Sequence, residues 1–212
     1  CSWRGFLQSC LKDALTETML NATLTGRAPK LCTMNAHYQE GLKLSAKGRH
    51  AEAIARFETA LAADPSDTHV LFALGNSART LGLPAVAEQF FRRVLAAEPE
   101  RIEALVNLAN LLRANGQMQA AIALIEPALS RNSESAELWL TLGSIHREMG
   151  NREEAETHYR QALKFKPDYA AALGNLADLL ADDGKTDEAL ALYDRALKRD
   201  PDNTQARLNR AI

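Results

Sequence analysis

Several features are scarce in this sequence, and each scarcity excludes a class of protein. Cysteine occurs three times in 212 residues, at Cys1, Cys10 and Cys32. An odd number confined to the start of the chain excludes a disulfide framework for most of the fold. Glycine (11) and proline (7) are too few for a collagen-like or low-complexity chain, and aromatic residues make up only 6%.

An excess of one charge and long apolar runs are also missing. Lys and Arg total 25 against 27 Asp and Glu, so the net charge is −2. This balance argues against bulk nucleic-acid binding, because that requires many cationic contacts to phosphates. No apolar run approaches the roughly 18 residues that a membrane-spanning helix needs. We expect a cytoplasmic chain, with a periplasmic or membrane-anchored location as the alternative.

What the sequence does contain is a repeat of 34 residues. Glycine recurs at this spacing at Gly48, Gly82, Gly116, Gly150 and Gly184. Alanine follows the same step at Ala53, Ala87, Ala121, Ala155 and Ala189, and so does leucine at Leu61, Leu95, Leu129, Leu163 and Leu197. Three residue types in register over five units indicate a repeat architecture.

One unit, residues 136–169, shows what each repeat encodes. A first set of residues has the i, i+3, i+4, i+7 spacing of one helical face: Trp139, Leu142, Gly143 and His146. Gly150 then ends this helix, because glycine tolerates the positive φ of a helix C-cap. A second helical face follows at Ala155, Tyr159, Ala162 and Leu163, and Pro167 closes the unit. Each unit is therefore predicted to be a helix A, a tight turn and a helix B.

This pattern resembles the tetratricopeptide repeat family. The resemblance covers residues 34–203 as five units: 34–67, 68–101, 102–135, 136–169 and 170–203. It implies an all-α solenoid of antiparallel helix pairs, wound into a superhelix whose concave groove is lined mainly by the A helices. It also implies a protein or peptide partner. Pro127, inside helix B of the third unit, is expected to kink that helix.

The two ends of the chain do not complete a unit. Residues 1–33 are predicted to form an amphipathic capping helix, with its apolar face between Trp3 and Leu15, and a loop over Asn21–Pro29. The alternatives for this helix are binding to a partner, binding to a membrane surface, or folding back into the groove. Residues 204–212 are predicted to begin a sixth helix A or to form a truncated cap, and we favour truncation of a longer protein.

The candidate binding residues occupy positions 6, 9 and 12 of the A helices, which are predicted to face the groove. They are Asn76, Arg79, Asn107, Asn110, Arg113, Thr141, Ser144, Arg147, Asn175, Asp178 and Asn209. An asparagine amide both donates and accepts, so it can pair with the main chain of an extended peptide. Arginine adds recognition of carboxylates. The alternative is that the arginines pair with acids of the repeat array itself, such as Glu148 or Asp182.

These observations predict a non-enzymatic scaffold or adaptor that binds an extended, partly acidic peptide. The five histidines are scattered and show no zinc-binding spacing, so we expect no catalytic site, no metal and no cofactor. The asparagines are also similar to the ladder of the O-linked N-acetylglucosamine transferases. That similarity implies the alternative of a substrate-recruiting region within a larger enzyme, such as a protein glycosyltransferase. A second alternative is a scaffold that self-associates through its array ends.

Overall fold

The computed structural model describes the backbone of residues 28–199, Arg207 and Asn209, and side chains from Ala36 onward. The predicted capping helix between Trp3 and Leu15 lies outside these residues. The described part contains helices and no strands, which confirms the predicted all-α fold. The ten helices are α1 (Ala28–Ala46), α2 (His50–Ala63), α3 (Thr68–Thr80), α4 (Pro84–Ala97), α5 (Ile102–Ala114), α6 (Met118–Arg131), α7 (Ala136–Glu148), α8 (Arg152–Phe165), α9 (Ala170–Asp182) and α10 (Thr186–Arg199).

The chain divides into two compact units at Glu98–Pro99. Helices α1 to α4 belong to the first unit and α5 to α10 to the second. The odd-numbered helices correspond to the predicted A helices and the even-numbered ones to the predicted B helices. Each A helix packs against the B helix that follows it.

The turns between A and B helices share one geometry, which explains the glycine period. The five glycines have positive φ, between 71° and 82°, and they are Gly48, Gly82, Gly116, Gly150 and Gly184. The residue after each glycine donates its N–H to a carbonyl five residues earlier, as Asn151 does to His146 at 2.9 Å. This is the Schellman C-cap, whose left-handed residue favours glycine because no Cβ is present to clash.

The helix pairs are held by a small residue on the A helix that faces a ring on the B helix. In the first unit Gly41 faces Phe57 and Gly75 faces Phe91, and in the second unit Gly143 faces Tyr159. These rings are fully buried. This close approach explains why a glycine stands at these positions of the A helices.

The two units have separate cores of the same kind. In the first, Phe57, Val70 and Leu74 pack together, with Phe90 against them. In the second, Tyr159, Leu173 and Leu180 form one cluster with residues of α10. Alanines fill the remaining close contacts in both cores. The apolar positions of the repeat are thus the buried ones.

Two details differ from the predicted boundaries or refine them. Helix α1 includes Ala28 and Pro29, so the predicted loop over Asn21–Pro29 is wrong for its last two residues. Helix α6 runs from Met118 to Arg131 with Pro127 inside it, and Pro127 is solvent-exposed.

Candidate functional site

The predicted binding residues of the second unit lie on its A helices, at positions 6, 9 and 12 of each repeat. Because positions 6, 9 and 12 are three residues apart, they share one side of a helix. Helix α5 carries Asn107, Asn110 and Arg113, helix α7 carries Thr141, Ser144 and Arg147, and helix α9 carries Asn175 and Asp178. Asn209 is helical and occupies position 6 of the partial unit that follows. Contacts between consecutive A helices join these residues into a continuous polar surface.

Position 9 is the centre of a hydrogen-bond network. The Tyr193 hydroxyl donates to Asp178 Oδ1 at 2.6 Å, and Asn209 Nδ2 donates to the same oxygen at 2.7 Å. One repeat earlier, Tyr159 Oη and Asn175 Nδ2 approach Ser144 Oγ at 3.5 and 3.4 Å. Ser144 and Asp178 therefore each receive one contact from a tyrosine of their own B helix and one from an asparagine of the next repeat.

The carboxylate and burial together make the Tyr193 phenol a poor acid. Burial raises the pKa of Tyr193, and the hydrogen bond to Asp178 raises it further because the neutral phenol is the donor. Burial likewise raises the pKa of Tyr159, with the bond to Ser144 acting in the opposite direction. Both phenols remain protonated donors at neutral pH, which keeps the network intact.

In the second unit, the two arginines at position 12 pair with acids of the following repeat. Arg113 on α5 bonds Glu148 on α7. Arg147 lies 3.6 Å from Asp178 and 3.8 Å from Asp182, both on α9. These are the internal ion pairs that the sequence offered as the alternative to ligand binding. The Arg113 and Arg147 side chains are still 27% and 34% exposed, so solvent weakens the pairs and a ligand can reach them.

The remaining predicted residues differ in how available they are. Thr141 is only 4% exposed, and its hydroxyl donates to the Glu137 carbonyl at 2.8 Å. Asn76 and Asn107 are half-buried and each already has a contact of its own. Asn110 is partly exposed and has no hydrogen-bond partner for its side chain within the described residues. The third repeat therefore presents an amide that the array does not use.

The reason for the free Asn110 lies in two neighbouring positions. The B-helix residue that would supply a hydroxyl is Ile125 in this repeat, where the later repeats have tyrosine. The position-6 residue of the next repeat is Thr141, which is bonded to its own helix. Asn110 thus lacks both donors that Ser144 and Asp178 receive. Sequence reasoning assigned Tyr159 only to the apolar face of helix B and missed its hydroxyl, although the last two units have tyrosine where the first three have Phe57, Phe91 and Ile125.

Two arginines at position 12 carry donors that the array leaves unused. The Nε atom of Arg113 is buried and has no acceptor within the described residues. Arg79, on α3 of the first unit, is exposed and makes no ion pair with any residue that the structure describes. The acids that pair with Arg113 and Arg147 include Glu148 and Asp182, each at position 13 of the following repeat. In the repeat that follows Arg79, position 13 is Ala114.

The described part of the chain offers neither a metal-binding cluster nor a membrane-spanning helix. Residues 36–199 contain no group of three or more His, Cys, Asp or Glu side chains arranged to hold a metal ion. Within the described helices, none combines the length and apolar character needed to cross a membrane. The candidate site of this chain is the polar surface of the A helices, because its Asn110 amide has no partner within the described residues and its arginines are partly exposed.

Comparison with known proteins establishes the class to which this architecture belongs. Tetratricopeptide repeat family models match residues 38–102, 100–168, 140–204 and 175–212. The chain belongs to the tetratricopeptide repeat family. No match was found among curated proteins. The family, together with its structural neighbours, identifies the chain as a protein–protein interaction scaffold.

Solved structures of tetratricopeptide repeat proteins are similar over most of the chain. TTC0263 from Thermus thermophilus is 28% identical, with a TM-score of 0.71 over 84% of this chain and 97% of that one. MamA is 25% identical, with a TM-score of 0.63 over 80% and 92%. YrrB, a repeat protein with an unusual peptide-binding site, is 22% identical, with a TM-score of 0.57 over 83% and 91%. The last likeness concerns the fold alone.

Proposed function

We propose that the chain is a non-enzymatic scaffold or adaptor that binds an extended, partly acidic peptide along the polar surface of its A helices. The observation that carries this proposal is the pair of unused donors on α5. Asn110 and Arg113 are three residues apart on one side of the helix, and the Asn110 amide and the Arg113 Nε have no partner within the described residues. The Asn110 amide is partly exposed, so a ligand can reach it, and the buried Arg113 Nε is a donor whose unmet bond is costly in a folded protein.

The chemistry of these groups suits the main chain of a peptide. An asparagine amide donates and accepts, which matches the N–H and C=O of an extended segment and makes contacts that tolerate many sequences. At Ser144 and Asp178, by contrast, the polar atoms are already engaged within the array. We therefore place the main contact at α5, with the later A helices contributing a preformed wall.

The acidic preference rests on the arginines, and their pairing divides them into two kinds. Arg79 is exposed without a described partner, so it is available to a carboxylate of the ligand. Arg113 must exchange Glu148 for such a carboxylate. Since exposed ion pairs contribute about 0–1 kcal/mol, this exchange costs little. The ligand is therefore expected to be acidic at few positions, since Glu148, Asp178 and Asp182 repel a run of acids.

The first experiment asks whether the Asn110 amide contacts the ligand. Peptides are selected from a random display library with the unmodified chain, and their Kd values are measured by calorimetry. Asn110→Ala is expected to weaken binding about threefold to tenfold, because one or two hydrogen bonds to the main chain are lost. Thr157→Ala, at an exposed site of α8 on a B helix, is the matched control and should leave Kd unchanged. Equal affinity of Asn110→Ala and the unmodified chain would contradict the proposed contact.

The second experiment tests the acidic preference through the ion pair. Glu148→Gln removes the competing carboxylate and keeps the shape, so it should tighten binding of the selected acidic peptides while that of their amide versions stays constant. Arg79→Gln should weaken the acidic peptides only. If neither variant distinguishes the acidic peptides from their amide versions, the arginines have a structural role and the acidic preference is wrong.

A further inference from the structure

A groove separate from the A-helix surface is lined mainly by residues of two B helices. It has a volume of about 440 Å³ and lies within the second unit between α8 and α10, over α9. Its apolar lining comes from Leu163 on α8, Leu176 on α9, and Ala191 and Leu192 on α10. We call it the outer groove. Leu176 and Leu192 are almost completely buried, so they form its floor, while Ala191 is exposed at its wall.

The rim of the outer groove is positively charged. Arg160, Lys164 and Arg195 line it with a single acid, Glu188, which pairs with Arg160 at 2.8 Å. Arg195 donates to the Pro167 carbonyl at 2.9 Å and forms no ion pair with a carboxylate that the structure describes. Lys164 has no carboxylate partner among the described residues, and its ammonium lies 5.4 Å from the Phe165 ring centroid. Two cationic charges next to an apolar floor are therefore uncompensated.

The corresponding position between the first two repeats shows that this combination is not imposed by the repeat. There, 102 residues earlier in the chain, Phe90 replaces Leu192 and packs against the core beside Leu61. Glu58 and Arg93 replace Arg160 and Arg195, and Ala62 replaces Lys164, so the charges balance. Arg93 nevertheless donates to the Pro65 carbonyl at 2.8 Å, as Arg195 does to Pro167. The bond from arginine to the proline carbonyl is therefore common to both positions. The open apolar floor and the excess positive charge belong to the outer groove and not to the position between the first two repeats.

The comparison within the second unit leads to the same conclusion. Between the third and fourth repeats the residues corresponding to Arg160, Lys164 and Arg195 are Glu126, Ser130 and Gln161. Glu154 corresponds to Glu188, so this position is acidic rather than basic. The second and third repeats have Arg92, Ala96 and Pro127 at these three positions, so among the pairs of complete repeats in the sequence the last is the one with a cation at each.

We propose that the outer groove is a second docking site, which binds a peptide segment of a partner protein that carries an apolar side chain flanked by carboxylates. The apolar side chain occupies the floor formed by Leu176 and Leu192, where it leaves water. The flanking carboxylates pair with Lys164 and Arg195, for which the described part of the chain supplies no carboxylate partner. Charge complementarity of this kind favours an acidic segment over a neutral one and excludes a basic one. The site is independent of the A-helix surface, so one partner can be held on each.

The test uses the full chain and a fluorescein-labelled peptide of sequence Asp-Glu-Leu-Phe-Glu-Asp, with binding measured by fluorescence anisotropy. Lys164→Glu should weaken binding at least about tenfold, because it replaces attraction by repulsion. Ala191→Trp should have a similar effect by filling the groove at an exposed site. Lys198→Glu makes the same charge change on α10 outside the groove and should alter Kd by less than about twofold. A peptide with Asn and Gln in place of the acids should bind more weakly than the acidic one.

Several outcomes would overturn the proposal. One is absence of binding to the unmodified chain, and another is equal binding to the Lys164→Glu and Ala191→Trp variants, with circular dichroism showing that both are folded. A third is loss of binding on Asn110→Ala or Arg79→Gln with the outer-groove variants unaffected, because the peptide would then occupy the A-helix surface. Failure of the A-helix proposal leaves this result untouched, since its variants are at different residues.

Discussion

The contact between Gly143 and Tyr159 yields a prediction whose sign is not obvious. A methyl group at Gly143 would lie 2.7 Å from both Cδ1 and Cε1 of Tyr159, well inside van der Waals contact. Tyr159 is fully buried and its hydroxyl is held near Ser144, so the ring cannot move out into solvent. The two helices must therefore separate to admit the methyl group.

Two opposing effects set the size of the change. Overpacking a core costs about 1–3 kcal/mol, whereas Gly to Ala in a helix interior gains about 1 kcal/mol. In the fifth repeat Ala177 occupies the position of Gly143 and Tyr193 still packs there, so the separation is tolerated and the cost is not extreme. We expect Gly143→Ala to destabilise the chain by about 1 kcal/mol, which lowers Tm by about 2–4 °C for a chain of this size.

The matched control is Gly174→Ala on α9. No atom lies within 4 Å of a Cβ added at Gly174, so only the helix-propensity gain applies and this variant should be more stable by about 0.5–1 kcal/mol. Urea unfolding followed by circular dichroism measures both variants against the unmodified chain. If Gly143→Ala were stabilised as much as Gly174→Ala, the argument from close packing would be refuted.

Two further predictions follow from the polar groups of the second unit. Tyr193→Phe removes a 2.6 Å bond to a carboxylate and should lower the free energy of unfolding, measured in urea, by about 1 kcal/mol. Tyr159→Phe removes a 3.5 Å contact and should lower it by less. Equal losses for the two variants would contradict this argument from bond length. Burial and the neighbouring His146 lower the pKa of His158 to about 4, so the fold favours the neutral ring. Because the unfolded chain takes up this proton near pH 6.5, stability should be highest above that pH and fall as the pH drops from 6.5 to 4. His158→Gln should flatten this part of a Tm-against-pH curve, and an unchanged slope would assign the acid sensitivity to other groups.

The repeat fold was predictable because its determinants are local. A glycine at the C-cap position specifies the left-handed turn whatever surrounds it, and the five turn glycines are all found in that conformation. The spacing of Ala155, Tyr159 and Ala162 likewise fixes which face of α8 is buried. By contrast, Ala28 and Pro29 lie outside the repeat period, so the pattern held no information about their helical conformation.

The use of the polar residues was less predictable because it depends on distances between helices. The sequence placed Arg113 and Arg147 in one row, but it did not determine whether Glu148 and Asp182 lie close enough to pair with them. The positions that line the outer groove look like ordinary solvent-exposed sites in the sequence, since Arg160 and Lys164 are charged residues on a helix surface. Their combination with a shallow apolar floor is visible only when α8, α9 and α10 are assembled.

The position-9 network has a consequence for how such an array can grow or shrink by whole units. A second copy of the fifth unit placed after the first would bring another position-6 asparagine to Asp178, as Asn209 does now, so this duplication preserves the seam. If the fourth unit were followed by a second copy of itself, a threonine equivalent to Thr141 would replace Asn175 as the neighbour of Ser144. The Thr141 hydroxyl already donates to a carbonyl of its own helix, so the bond to Ser144 would be lost. The 34-residue units are therefore interchangeable in backbone but not in side chains, and their order along the chain is part of what the protein encodes.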